Sequence, residues 1–184
     1  MRGVDPKSAK GGGMTGGGMT GGVTRIGGVT RIGVTGHRVL PDAVRSAVRE
    51  GMRGLLGGEA ELLTSLAAGA DQLCADLALA AGGRVTAVIP GTDYEAQFED
   101  AAALASYRRL LARCTTRVDL PAEPSPEAAY DMAGRWVVDH CELLVAVWDG
   151  RPARGRGGTA EVVAYARANG RRVTVLWPPG ILRD

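Results

Sequence analysis

Short apolar-rich runs alternate along this chain with longer stretches in which apolar side chains return every three or four positions. Residues 143–148 (LLVAVW) form one such run, closed by Asp149-Gly150. That length and that boundary predict a strand buried on both faces. Residues 61–66, 84–89, 117–120 and 172–177 read as further strands, and a first strand ends near Val34. Between them the period changes. Val44, Val48, Met52 and Leu55 follow the loop Thr35-Gly36-His37-Arg38 at helical spacing, with Pro41 suited to the first turn. Leu73, Leu77 and Ala80 form the expected core stripe of a second helix after the small-residue turn 67–71, and Gly82-Gly83 stops it. Phe98, Ala102, Ala105, Leu110 and Leu111 predict a third, opened after Pro90-Gly91 by Thr92 or Asp93 as cap. Ser125-Pro126-Glu127 gives cap, proline and acid in order, opening a helix that runs to about Cys141. Thr159 opens the last helix and Asn169-Gly170 ends it.

Six strands thus alternate with about five helices. The pattern predicts an α/β three-layer sandwich around a mainly parallel sheet with right-handed crossovers. Ligands of such sheets sit beyond the carboxyl ends of the strands, at a switch point in strand order. Three turns fall at strand ends here, at 35–38, 67–71 and 149–159, and all are rich in small residues.

Composition narrows the partners. With 184 residues, one domain is expected, and 45% apolar content is ordinary for a globular protein. Residues 1–32 carry five basic side chains against one acid, so a net charge of +2 leaves the remainder at −2. That balance makes nucleic acid a poor partner for the domain. Cys74, Cys114 and Cys141 are odd in number and far apart, which argues against a disulfide framework and for a reducing cytoplasm. No metal-ligand spacing calls for a metal, and no cofactor is implied. No apolar run approaches the roughly 20 residues that span a bilayer.

Residues 1–28 stand apart. GGGMT and GGVTRI each occur twice in tandem, and eleven of these 28 residues are glycine. So few apolar side chains cannot offset the entropy of ordering, so a disordered low-complexity tail is expected, with the domain occupying 29–184. Met14 and Met19 are equally good candidate starts.

The chemistry gathers at the three turns. Gly155, Gly157 and Gly158 let the backbone approach a ligand, and the N–H groups at the Thr159 helix start favour an anion. Arg151, Arg154 and Arg156 share that loop and can add charge-assisted hydrogen bonds to phosphate. In the first turn, Arg38 can pair with phosphate and His37 can bond a base or ribose. Asp71 either binds a ribose hydroxyl or steadies a helix start. Asp149-Gly150 follows the buried strand and faces the same edge. Tyr94 either stacks on a base or staples a helix. Arg135 either reaches the site or stays in solvent, and His140 suits a helix C-terminus.

These residues carry a resemblance. IGVTGHR (32–38), SLAAGADQLCADLAL (65–79), AVIPGTDYEAQF (87–98) and VVDHCELLVAVWDGRPARGRGGTAEVVAYAR (137–167) resemble the SLOG superfamily. That group holds the LOG-type proteins once labelled lysine decarboxylase-like, the DNA-processing DprA proteins and nucleotide-sensing domains of bacterial conflict systems. The likeness covers about residues 29–178. It implies a Rossmann-like sheet that binds a nucleotide or nucleotide derivative. Gly157-Gly158-Thr159 would hold the phosphate, while Thr35, Gly36-His37-Arg38, Gly69-Ala70-Asp71 and Asp149-Gly150 would line the crevice. It also implies a homo-oligomer, since LOG-type members are usually dimers.

The likeness has a gap. LOG-type phosphoribohydrolases place a catalytic glutamate three residues after the threonine. Here that position is Val162, and Glu161 stands one residue earlier, about 100° around a helix. The expectation is therefore a binding or sensing module. The alternative is a hydrolase that cleaves the N-glycosidic bond of a nucleoside monophosphate, with Glu161 as the acid or nucleophile and Arg135 or Arg38 on the phosphate. DprA-like binding of single-stranded DNA is the third reading.

Overall fold

Strand β1 (Thr30–Gly36) lies inside the sheet, and the chain builds outward from it in two directions. The structure is a computed structural model and describes residues 30–57, 59–152 and 157–182. The glycine-rich segment 1–28 and the loop residues Arg154, Gly155 and Arg156 lie outside the described residues.

From β1 the chain passes through α1 (Asp42–Leu55), β2 (Ala60–Thr64), α2 (Ala70–Ala80), β3 (Arg84–Ile89), α3 (Ala101–Leu111) and β4 (Thr116–Asp119). It then returns through α4 (Pro126–His140) to β5 (Leu143–Val147), α5 (Thr159–Ala168) and β6 (Arg172–Val175). The strand order is β4-β3-β2-β1-β5-β6, and every pairing is parallel. Right-handed crossovers in opposite directions put helices on opposite faces. Accordingly α1, α2 and α3 share one core with Ile32, Val34, Leu62, Val85, Val145 and Val147. Helices α4 and α5 share the other with Leu63, Val88, Leu144 and Ala146. Neighbouring residues of β5 point to opposite cores, which is why its apolar run is unbroken. The fold is the α/β three-layer sandwich that the pattern predicts, with an entirely parallel sheet. Among the described residues no helix is long and apolar enough to cross a membrane.

Two helices differ from their sequence pattern. In α2 the buried face is Ala70, Asp71, Cys74, Ala75 and Ala78, while Leu73 and Leu77 pack at the margin of the core. This helix is the middle one of its layer, and small residues let it sit close to the sheet. Helix α3 begins later than Thr92 or Asp93. A short 3-10 turn (Glu95–Gln97) intervenes, and the Asp100 carboxylate accepts from the N–H groups of Ala102 and Ala103 to open the helix. Phe98 therefore precedes α3. Helix α4 opens as expected, with the Ser125 hydroxyl accepting from the Ala128 N–H at 3.2 Å.

Candidate functional site

Strand order reverses beside β1, because β2, β3 and β4 lie to one side of it and β5 and β6 to the other. A crevice must open beyond the carboxyl ends of β1 and β5. A cavity of about 490 Å³ occupies that place, within the range typical of small-molecule sites. Thr35, Gly36, His37 and Arg38 line it from the turn after β1. Gly157, Gly158, Thr159, Ala160 and Val162 line it from the start of α5, and Tyr130, Ala133 and Gly134 from α4.

Gly36 is what allows the elements to meet there. A Cβ at this position would stand 2.4 Å from the Ala70 Cβ and 2.8 Å from the Val147 Cβ. The ends of β1 and β5 and the start of α2 thus come into direct contact. His37 then turns inward. Its backbone N–H donates to the Val147 carbonyl at 3.0 Å, and its carbonyl accepts from the Ala70 N–H at 3.1 Å. The ring Nε2 lies 3.0 Å from Asp149 Oδ1, and Trp177 meets the ring edge-on at 5.2 Å between centroids. The Asp149 N–H also points at Nε2, at 3.3 Å. A proton on Nε2 is donated to the carboxylate, and with the proton on Nδ1 the same nitrogen accepts the amide. Either way the pair bolts the end of β1 to the end of β5.

Arg38 turns the other way. It is exposed, makes no ion pair among the described residues, and holds its guanidinium 5.7 Å from the centre of the Tyr130 ring. Across the cavity α5 begins at Gly158, which has no side chain to cap the helix. An uncapped helix start, a nearby arginine and a glycine-lined wall thus border the same cavity.

Asp71 lies at the cavity wall and is buried. Its Oδ2 accepts from the Thr64 hydroxyl at 2.8 Å and from the Ser65 N–H at 3.2 Å. Burial pushes its pKa from the ordinary 3.8 up to about 6, against the lowering effect of these hydrogen bonds and of the Arg38 charge. Tyr94, also in the wall, is buried and meets Phe98, Tyr107 and Tyr130 edge-on. Burial drives its hydroxyl well above the usual range.

Of the residues expected from sequence, the cavity brings together Thr35, Gly36, His37, Arg38, Asp71, Gly157, Gly158 and Thr159. The others lie outside its lining, each for a visible reason. Gly69 has φ of 84°, and a Cβ there would stand 2.2 Å from the Arg38 carbonyl oxygen. Gly69 and Ala70 receive the β1 turn. Asp149 is committed to His37 and to the Arg151 N–H, and Gly150 stands in open space beyond it. Glu161 is exposed, and its Oε2 accepts from the Gly157 N–H at 2.5 Å. Val162 faces the cavity in its place. Arg135 is one residue past Gly134 on α4, so its side chain leaves on another face. It pairs there with Asp131 at 3.0 Å and lies over Tyr165.

Sequence reasoning did not single out Tyr130, Glu127 or Trp148, all of which line the cavity. Trp148 carried a signal, as the last apolar residue before Asp149-Gly150. Tyr130 and Glu127 carried none, because a helix passing over a crevice looks like any other helix.

No protein-family model matches the chain, and no curated protein matches it. Solved structures do share its fold. DprA from Streptococcus pneumoniae superposes with a TM-score of 0.63 at 20% identity, over 84% of this chain and 52% of that one. DprA from Helicobacter pylori, described for its single-stranded DNA binding, gives 0.60 at 11% identity, over 79% and 64%. The molybdenum cofactor binding protein from Rippkaea orientalis gives 0.51 at 17% identity, over 82% and 77%. The chain thus spans about half to two thirds of the length of the two DprA proteins. The Rossmann-like fold implied by the SLOG resemblance is the fold observed.

Proposed function

We propose that this protein binds a phosphorylated nucleotide or nucleotide derivative in the cavity at the carboxyl edge of the sheet, as a ligand-binding or sensing module. One observation carries the reading. The uncapped start of α5 and the guanidinium of Arg38, which makes no ion pair among the described residues, face the same cavity, at the switch point of a parallel sheet. A phosphate supplies the charge that both lack. Neighbours of the same fold include a protein named for binding the molybdenum cofactor, which is in keeping with a small-molecule ligand. A homo-oligomer in the cytoplasm belongs to the same proposal. It draws on the SLOG resemblance and on the three unpaired cysteines.

Hydrolysis of a nucleoside monophosphate is the weaker reading, because Val162 has no proton to give and Glu161 is turned to the Gly157 amide. DNA binding is weaker still for a domain with a net negative charge outside its tail. Calorimetric titration with adenosine and cytidine monophosphates, followed by assay for free base, tests all of this. The expected result is saturable binding without appreciable base release. Gly158→Val should lose at least tenfold in affinity while staying folded, since the φ of −80° at Gly158 suits any residue. Absence of binding to every phosphorylated nucleotide tried would sink the proposal.

A further inference from the structure

A second chamber of about 300 Å³ adjoins the first. The two share Arg38, Val39, Ala67 and Tyr94 in their walls, so they lie side by side across those residues. The second chamber differs in chemistry. Tyr94 and Phe98, packed edge-on with centroids 5.4 Å apart, and Ala103 give it an apolar wall. Gln97, Glu99 and Asp100 line it too; Asp100 is engaged in capping α3, and Glu99 has no ion-pair partner among the described residues. Val39, 64% exposed, is one of three large apolar side chains left in solvent among the described residues, and it lines both chambers. Arg38 stands at the same junction and makes no ion pair among the described residues.

Each feature fits one kind of occupant. The volume lies at the lower end for small-molecule pockets, roughly 300 Å³. That suits a single ring system better than a complete second nucleotide. An apolar wall beside exposed Val39 suits the faces of a planar ring. An amide and a carboxylate in that lining can read the ring's N–H and exocyclic amine edges. The guanidinium at the junction suits a phosphate between two rings.

We propose that the second chamber is the subsite for a second heterocycle, so that the ligand is of dinucleotide type: two ring systems joined through phosphate, with the bridge at Arg38. This rests on the nucleotide-binding reading above and extends it. The first ring and its phosphate occupy the larger cavity against the α5 start. The bridge crosses Arg38 and Val39, and the second ring lies along Tyr94 and Phe98.

The test compares adenosine monophosphate with three two-ring probes, NAD, diadenosine diphosphate and cyclic di-adenosine monophosphate, by calorimetry on the full chain. At least one two-ring probe should bind ten times more tightly than adenosine monophosphate. Ala103→Phe, at a half-exposed position on α3 that borders only the second chamber, should erase that advantage and change adenosine monophosphate affinity less than threefold. Glu99→Ala, a surface change that leaves the chamber open, should reduce the advantage at least threefold. Circular dichroism checks that both variants are folded. If adenosine monophosphate binds and no two-ring probe exceeds it, or if the advantage survives both substitutions, the second subsite is refuted and the first cavity stands. If no probe binds at all, both readings fall together.

Discussion

Two turns of this protein look alike in sequence and do opposite things. The turn from β2 to α2 and the turn from β5 to α5 both leave a buried strand, and both open a helix behind a glycine, Gly69 and Gly158. Neither helix start has a side-chain cap. At α2 the space in front is already filled. The Ala70 N–H donates to the His37 carbonyl, and the Arg38 backbone lies against Gly69. At α5 the space in front is the cavity. A glycine at a helix start therefore announces close approach, and what approaches can be the protein's own backbone or a ligand.

The largest expected effect is at the filled turn. Gly69→Ala puts a side chain on a residue with φ of 84° and drives its Cβ into a carbonyl oxygen. Backbone strain and overpacking together should cost roughly 2–5 kcal/mol of stability, read by urea unfolding. A loss below about 1 kcal/mol would mean that the β1 turn does not rest on Gly69, and the contrast between the turns would collapse.

The next effect depends on pH. Asp71 has a folded pKa of about 6 against 3.8 ordinarily, so the folded protein holds this proton more tightly than the unfolded chain does. Its contribution to stability is complete below about pH 4 and is lost as pH rises through about 6, amounting to about 3 kcal/mol. Asp71→Asn should keep the hydrogen bond from Thr64 and lose the titration. Its stability relative to wild type should rise between pH 4 and 6 and stay level above. A difference that does not vary with pH would show that Asp71 is not held in an apolar site.

At the open turn the expected loss is in affinity. Arg38→Ala should weaken nucleotide binding by roughly 1.5–3 kcal/mol, about ten- to hundredfold. Thermal unfolding should barely change, because Arg38 is exposed and makes no ion pair among the described residues. Unaltered affinity would leave the cavity without the cation that the proposal assigns to it.

The smallest effect is at Glu161. Glu161→Gln should cost no more than about 1 kcal/mol, since its bond to the Gly157 N–H is exposed. Nucleotide affinity should change less than twofold. If base release is seen in wild type and this substitution abolishes it, Glu161 reaches the sugar after all and the protein is a hydrolase.

Alternation of period and the strength of single boundaries made most of the fold legible. Strand 84–89 matches β3 to the residue, because a short run rich in Val, Ala and Ile is bounded on one side by Gly82-Gly83 and on the other by Pro90. Ser125-Pro126-Glu127 opened α4 as expected, because a capping hydroxyl acts within three residues of itself. The start of α3 was missed because Thr92, Asp93 and Asp100 are all competent caps, and only the packing of Tyr94 and Phe98 selects among them.

For the site, the sequence determined which residue types stand at the carboxyl edge: the glycines, Thr159, Arg38, His37 and Asp71. Those are local facts, fixed by position at the ends of predicted strands. Only the tertiary structure decided which way each one faces. His37 and Arg38 are adjacent in one loop and both line the cavity, yet one is held by Asp149 and the other makes no ion pair among the described residues. Glu161 and Val162 are adjacent on one helix, yet the valine is the one inside. Direction depends on what arrives from far along the chain: Asp149 is 112 residues from His37, and Trp177 packs on the same ring. Short-range pattern carries strand and helix because their hydrogen bonds and periods are short-range. It carries no record of which distant surface fills the space in front of a turn, and here that surface separates a packed turn from an open cavity.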